Sequence, residues 1–189
     1  MPALRARIIA LRAKFLDAQL AAERNDPLTF VPDIDNLAAF RLLAHAEFED
    51  YLETKAREGL TSIETAFRNG QDTVRQNVSV LVIAISLSKP LRLVLPHWPA
   101  DVTELLRTAR DWIAKNNGIK DASFTMLSVF SGKMPDEIDG ALSASLSTYG
   151  TSRGDVAHKS ATRVTTIQAP SAEAQTVDDL IAELDSYFA

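Results

Sequence analysis

A chain of 189 residues with 46% hydrophobic content is long enough to bury a substantial core, and its 20 basic and 25 acidic residues leave a net charge of -5. That balance excludes broad electrostatic attraction to a polyanion and leaves room for a local basic patch only. No cysteine is present, which excludes disulfides and thiolate metal sites, and three histidines (His45, His97, His158) make a resident metal improbable; no cofactor is expected.

Met1 to Lys14 is rich in arginine and poor in acids, as transit peptides are, but it lacks their serine. Leu4, Ile8, Leu11, Phe15 and Leu16 recur at helical spacing and predict a first helix in place of a cleaved signal. No apolar stretch reaches the ~20 residues that span a bilayer, so we expect no membrane attachment and a cytoplasmic location. Turn signals at Asn25-Asp26-Pro27 and Pro32-Asp33 follow, and they separate an N-terminal helix (1–30) from a helical domain (31–189).

Asp35 or Asn36 can cap a second helix that runs to about Gly59, with Leu37, Phe40, Ala44, Phe48, Tyr51 and Leu52 on one face. Thr61 to Leu87 includes a β-branched run, Val78 to Leu87, which fits a strand or a buried helix. Helix is favoured because no second run of strand type exists to pair with it. Ser88 to Pro99 holds three prolines and reads as a loop. Asp101 and Glu104 open a short helix carrying Leu105, Leu106, Ala109, Trp112 and Ile113, which ends at Gly118. Phe124 to Phe130 is apolar and stops at Ser131-Gly132. Pro135, Asp136 and Glu137 then read as the first turn of a helix leading to Tyr149-Gly150. The last helix is expected from Thr176, with Val177, Leu180, Ile181, Leu184 and Phe188 on one face. The expected fold class is all-α, a helical bundle.

Chemistry concentrates in Tyr149-Gly-Thr-Ser-Arg153-Gly154-Asp155-Val156-Ala157-His158-Lys159-Ser160. Cleaving RNA requires removing a proton from a 2′-hydroxyl, delivering one to a 5′-oxygen and holding a cation beside the phosphorane. Histidine moves protons at neutral pH, and the planar fork of arginine matches phosphate. On an ideal helix, residues five apart point roughly 140° away from one another, so Arg153 and His158 of one chain converge only if the helix breaks, as Gly154 permits. Two-fold symmetry is the other solution, since it brings two copies of the segment to one cleft. Asp155, three residues before His158, is placed to orient the ring and favour its protonated form, and Lys159 and Arg163 would extend the cationic surface, with Ser160 beside them.

This stretch resembles the HEPN family, whose hallmark is an Arg-x4–6-His motif just before the last helix of an all-α domain. In several branches the motif reads Arg-Gly-acid-x-Ala-His, the form of Arg153-Gly154-Asp155-Val156-Ala157-His158. Asn117-Gly118-Ile119-Lys120, the Ser131-Gly132 break followed by Ile138 and Leu142, and Arg41-Leu-Leu-Ala-His45-Ala-Glu47-Phe-Glu49 look like the same branches, so the likeness covers roughly Asn36 to Phe188. The resemblance implies a HEPN-like bundle with an additional N-terminal helix. It also implies metal-independent endoribonuclease activity leaving a 2′,3′-cyclic phosphate, a homodimer, and Arg153 and His158 as catalytic residues. Many members carry a polar residue directly after the arginine; with Gly154 there, any orienting role falls to Asp155 or is absent. Members often act as toxins or antiviral RNases, which implies an antitoxin or defence-system partner.

Arg41, His45 and Glu49 step by four along the second helix and either support the site or dimer seam or form an ordinary surface ladder. His97 and Trp98 could stack on a base, or simply pack within their loop. Arg5, Arg7, Arg12 and Lys14 could touch phosphates or form a solvated face. Two rival functions remain. One is a non-catalytic helical dimerisation or protein-interaction module; the other, a DNA-associated regulator, is disfavoured by the negative charge and the lack of a recognition helix.

Overall fold

The computed structural model describes residues 1–71, 102–158 and 169–189, with residue 104 and residues 155–158 described by their backbone alone. Among these the regular structure is all helical, with no strand: α1 (Pro2–Phe15), α2 (Asp17–Asn25), α3 (Ile34–Arg68), α4 (Thr103–Ile113), α5 (Asp121–Phe130), a 3-10 turn (Pro135–Glu137), α6 (Gly140–His158) and α7 (Pro170–Tyr187). None of the described helices is long and apolar enough to cross a membrane. The β-branched run Val78–Leu87 and the proline-rich segment after it lie outside the described residues.

The helix starts and stops have local causes, several of which differ from the sequence expectation. The N-terminal segment forms two helices, parted at Leu16, whose side chain is fully buried. α3 is capped by Asp33, earlier than expected, whose Oδ1 accepts from the Asn36 amide at 3.1 Å. It also runs past Gly59 and stops at Gly70, which adopts φ 70° while the Gly70 and Gln71 amides bond back to Phe67 and Ala66. Gly59 answers a different need. A Cβ there would stand 2.4 Å from the Ser131 Cα and 2.5 Å from the Phe130 carbonyl oxygen, so only glycine lets these two backbones approach. α5 ends where expected, at Ser131-Gly132, with Gly132 at φ 98° and the Gly132 and Lys133 amides donating to Val129 and Ser128.

Pro135-Asp136-Glu137 closes only a single 3-10 turn, and α6 starts afresh at Gly140. Asp139 caps it, accepting from the amides of Ala141 (2.8 Å) and Leu142 (3.1 Å). α6 then continues past Gly150 to His158. α7 starts at Pro170, not at Thr176, because proline suits the first helical position and a carboxylate of α2 serves the first turn: Glu23 accepts from the Ser171 amide (3.0 Å) and hydroxyl (2.9 Å). Thr176 lies mid-helix and donates back to the Ala172 carbonyl.

The described residues form two units, Met1–Asp50 with Asp139–Ala189, and Tyr51–Ile138. In the first, α1 packs on α2, α2 on α7, and α6 on α7. Its core is Leu4, Ile8, Leu16, Leu37, Phe40, Phe48, Leu146, Val177 and Leu184, each contributing about 1.5–3 kcal/mol by leaving water. In the second, Leu60, Leu106, Ile113, Phe124 and Phe130 are buried, and Trp112 meets Phe130 edge to face at 5.5 Å.

Candidate functional site

Three helices of the first unit bring polar side chains into its interior. On α3, Arg41 and His45 stand one turn apart and are 3% and 1% exposed, so they are not the rungs of a solvated ladder. On α6, Tyr149 and Arg153 share the same spacing. Glu173 comes from the first turn of α7 and is buried as well.

Arg41 and Glu173 form a two-pronged ion pair: the Arg41 Nε donates to Glu173 Oε2 at 3.2 Å and its terminal nitrogen to Oε1. Two parallel N–H···O bonds satisfy both partners where water cannot reach them. The Tyr149 hydroxyl donates to the Arg41 carbonyl at 3.4 Å. Burial, and secondarily the Glu173 carboxylate, push the Tyr149 phenol well above its ordinary pKa, which keeps it protonated as a donor. The Tyr149 ring lies nearly parallel to His45 (centroids 6.3 Å apart, planes 19°) and edge-on to Phe48 at 5.8 Å.

His45 is the odd member. Both ring nitrogens are buried, and neither has a hydrogen-bond partner among the described residues. An unmet buried polar group costs about 1–3 kcal/mol. Burial first, and the positive charge of Arg153 second, push its pKa down to about 4, so the ring is neutral at physiological pH. Arg153 itself is half-buried, and its Nε is likewise enclosed without a hydrogen-bond partner.

Of the expected site, the structure therefore buries Arg41 and His45 and leaves Arg153 half-buried on α6. Glu49, one turn beyond His45, is half-buried. His158 is helical, but its side chain and that of Asp155 are not among those described; Lys159, Ser160, Arg163, His97 and Trp98 lie outside the described residues. The break that Gly154 permits does not occur: α6 is continuous from Gly140 to His158, because glycine allows a kink without imposing one. Positions 153 and 158 are thus separated by roughly 140° around one helix.

Three of the N-terminal cations are committed to carboxylates: Arg5 to Asp185 (2.9 Å), Arg7 to Glu47 (2.8 Å) and Arg12 to Asp178 (2.8 Å). Lys14 lies over the Phe15 ring. Among the described residues no three His, Asp or Glu side chains gather in a way that could hold a metal ion. Sequence reasoning missed Glu173 and Tyr149. The proline at 170 followed by Glu173 was a usable helix-start signal for the former. For Tyr149 the only hint was its four-residue spacing from Arg153. Compared with family models, with curated proteins and with solved structures, the chain matches none.

Proposed function

We propose that this chain is a metal-independent endoribonuclease that acts as a homodimer. The observation that carries the reading is Arg153-Gly-Asp-Val-Ala-His158 on the final turns of a continuous α6, with Arg153 half-buried and its Nε enclosed. With the two motif residues on different sides of one helix, a single phosphodiester needs Arg153 and His158 supplied across a two-fold axis.

In this reaction the 2′-hydroxyl gives its proton to a His158 imidazole as its oxygen bonds to phosphorus. Arg153 neutralises the charge on the phosphorane oxygens. The bond from phosphorus to the 5′-oxygen breaks, that oxygen takes a proton from an imidazolium, and the products are a 2′,3′-cyclic phosphate and a 5′-hydroxyl. His45 is enclosed away from solvent and is not the proton carrier. A nuclease of this kind requires restraint in the cell, which fits a toxin or antiviral defence RNase held by a partner protein.

The test is incubation of purified protein with total RNA, with and without EDTA, followed by end analysis. Cyclic-phosphate ends from the wild type, unchanged by EDTA and lost in His158→Ala at unchanged helicity and dimer content, support the proposal. Activity persisting in His158→Ala rejects it, and a dimer that cuts nothing replaces it with a non-catalytic interaction module.

A further inference from the structure

Leu28 and Val31 are the most exposed large hydrophobic side chains among the described residues, at 95% and 83%. They stand on the connection between α2 and α3 (26–33), with the half-buried Phe30 between them in sequence. A single apolar side chain in water is ordinary, but this pair is held on a braced loop. Pro27 and Pro32 bracket it and fix their own φ angles. Asp26 folds it back: its carboxylate accepts from the Thr29 hydroxyl and amide, and its carbonyl accepts from the Phe30 amide at 3.0 Å. The far end is tied to α2, where the buried Gln19 donates to the Phe15 carbonyl and accepts from the Asp33 amide at 2.8 Å. Two apolar anchors on such a frame lose little freedom when something covers them, which lets a small patch bind well.

Charge decides what can cover them. From Asn25 to Phe40 the chain carries three carboxylates, Asp26, Asp33 and Asp35, all exposed, and no lysine or arginine. Hydrogen bonds from the Thr29 hydroxyl and amide hold the Asp26 carboxyl below its ordinary range, so it stays ionised. The phosphates of RNA or of an anionic membrane surface meet like charge here. A second copy seated on the same loop does so too, and Arg5, Arg7 and Arg12 of the basic α1 are already engaged within the chain by Asp185, Glu47 and Asp178. The complementary surface is therefore that of a different protein, apolar at its centre and basic at its edge. We propose that the α2–α3 loop docks a partner protein, Leu28 and Val31 entering an apolar cleft whose lysine or arginine rim answers Asp26, Asp33 and Asp35. The docking site uses no residue of the motif and does not depend on the nuclease reading.

The test uses the full-length protein in the cells that make it, with Phe30 replaced by the photoreactive analogue benzoylphenylalanine. Irradiation should join position 30 to one other protein, which is then purified and titrated calorimetrically against the wild type and its variants. Leu28→Ser combined with Val31→Ser should weaken binding by at least about tenfold, as losing buried anchors does. Both side chains face solvent in the free protein, so the double variant should melt with the wild type and cut any RNA that the wild type cuts. Asp35→Lys should slow association, and added salt should slow it in the wild type more than in that variant. Wild-type affinity in the Leu28→Ser, Val31→Ser variant overturns the docking site, as does the absence of any adduct. Adducts confined to a second copy replace it with a contact between copies, and adducts to RNA or lipid overturn the charge argument. A wild-type protein that cuts no RNA overturns the nuclease reading and leaves the docking site standing.

Discussion

The two units enclose different kinds of interior. In the second, Leu106, Ile113, Phe124 and Phe130 fill the space, and the tightest point is a contact of backbones, the α3 helix at Gly59 against Phe130 and Ser131. In the first, a comparable apolar core surrounds Arg41, His45 and Glu173, all at most 3% exposed, with Tyr149 lying across them. An apolar interior asks only for volume and shape, whereas a buried polar group asks for a particular partner at a particular angle. A domain that retains an ion pair and an orphan imidazole in its core forgoes stability that hydrophobic replacements of similar volume would often supply. The difference teaches where to look for function: the polar interior belongs to the unit that also carries Arg153 on α6.

The contrast is broken most severely by removing half of the buried pair. Glu173→Ala deprives the Arg41 guanidinium of its two-pronged partner and should cost about 3–5 kcal/mol in urea denaturation, while Arg41→Met combined with Glu173→Leu should cost far less. Equal losses for the single and double variants would show that the pair's environment, not its charge balance, is what matters.

Acid should act on the first unit through His45. Its folded pKa of about 4 lies below the ordinary value of 6.5, so between these two pH values the unfolded chain binds more protons. Stability is therefore full above about pH 6.5 and is lost progressively as pH falls towards 4, by on the order of 3 kcal/mol from this group. Denaturation curves at pH 7 and pH 4.5 should show this loss in the wild type, and a correspondingly smaller one in His45→Phe. The same pH dependence in both proteins would assign it to other groups.

The smallest effects come from a pair of glycines. Gly59→Ala drives a methyl group into the backbone of Ser131 and should destabilise by about 1–3 kcal/mol, as overpacking does. Gly154→Ala meets nothing within 4 Å and lies within an unbroken helix, so it should stabilise by about 0.5–1 kcal/mol. Thermal melts of the two variants should move in opposite directions, and a destabilised Gly154→Ala would mean that the motif requires a backbone freedom that α6 does not display.

Most of the helices could be read from the order of residues because helical periodicity is local. Leu37, Phe40, Ala44, Phe48 and Leu52 lie on one face by spacing alone, and all are buried. The ends were less legible, since a glycine in sequence does not announce its reason. Gly59 was expected to end a helix and instead admits a neighbouring backbone, and Gly154 was expected to permit a break and instead sits within regular turns. Of the site, Arg153 and His158 were visible as a motif, and Arg41, His45 and Glu49 as a ladder. The burial of Arg41 and His45 was not visible, because it depends on what α6 and α7 lay against α3.

What the sequence by itself determined is therefore what neighbouring residues decide among themselves: helix after helix, their apolar faces, and a short segment rich in groups that suit phosphate chemistry. What only the tertiary structure decided is which of the polar residues are enclosed together. Arg41 and Glu173 are 132 positions apart, and the His45 and Tyr149 rings face one another only when α3 and α6 meet. The physical reason is that desolvation and charge pairing depend on distance in space, to which spacing along the chain is no guide beyond a few residues.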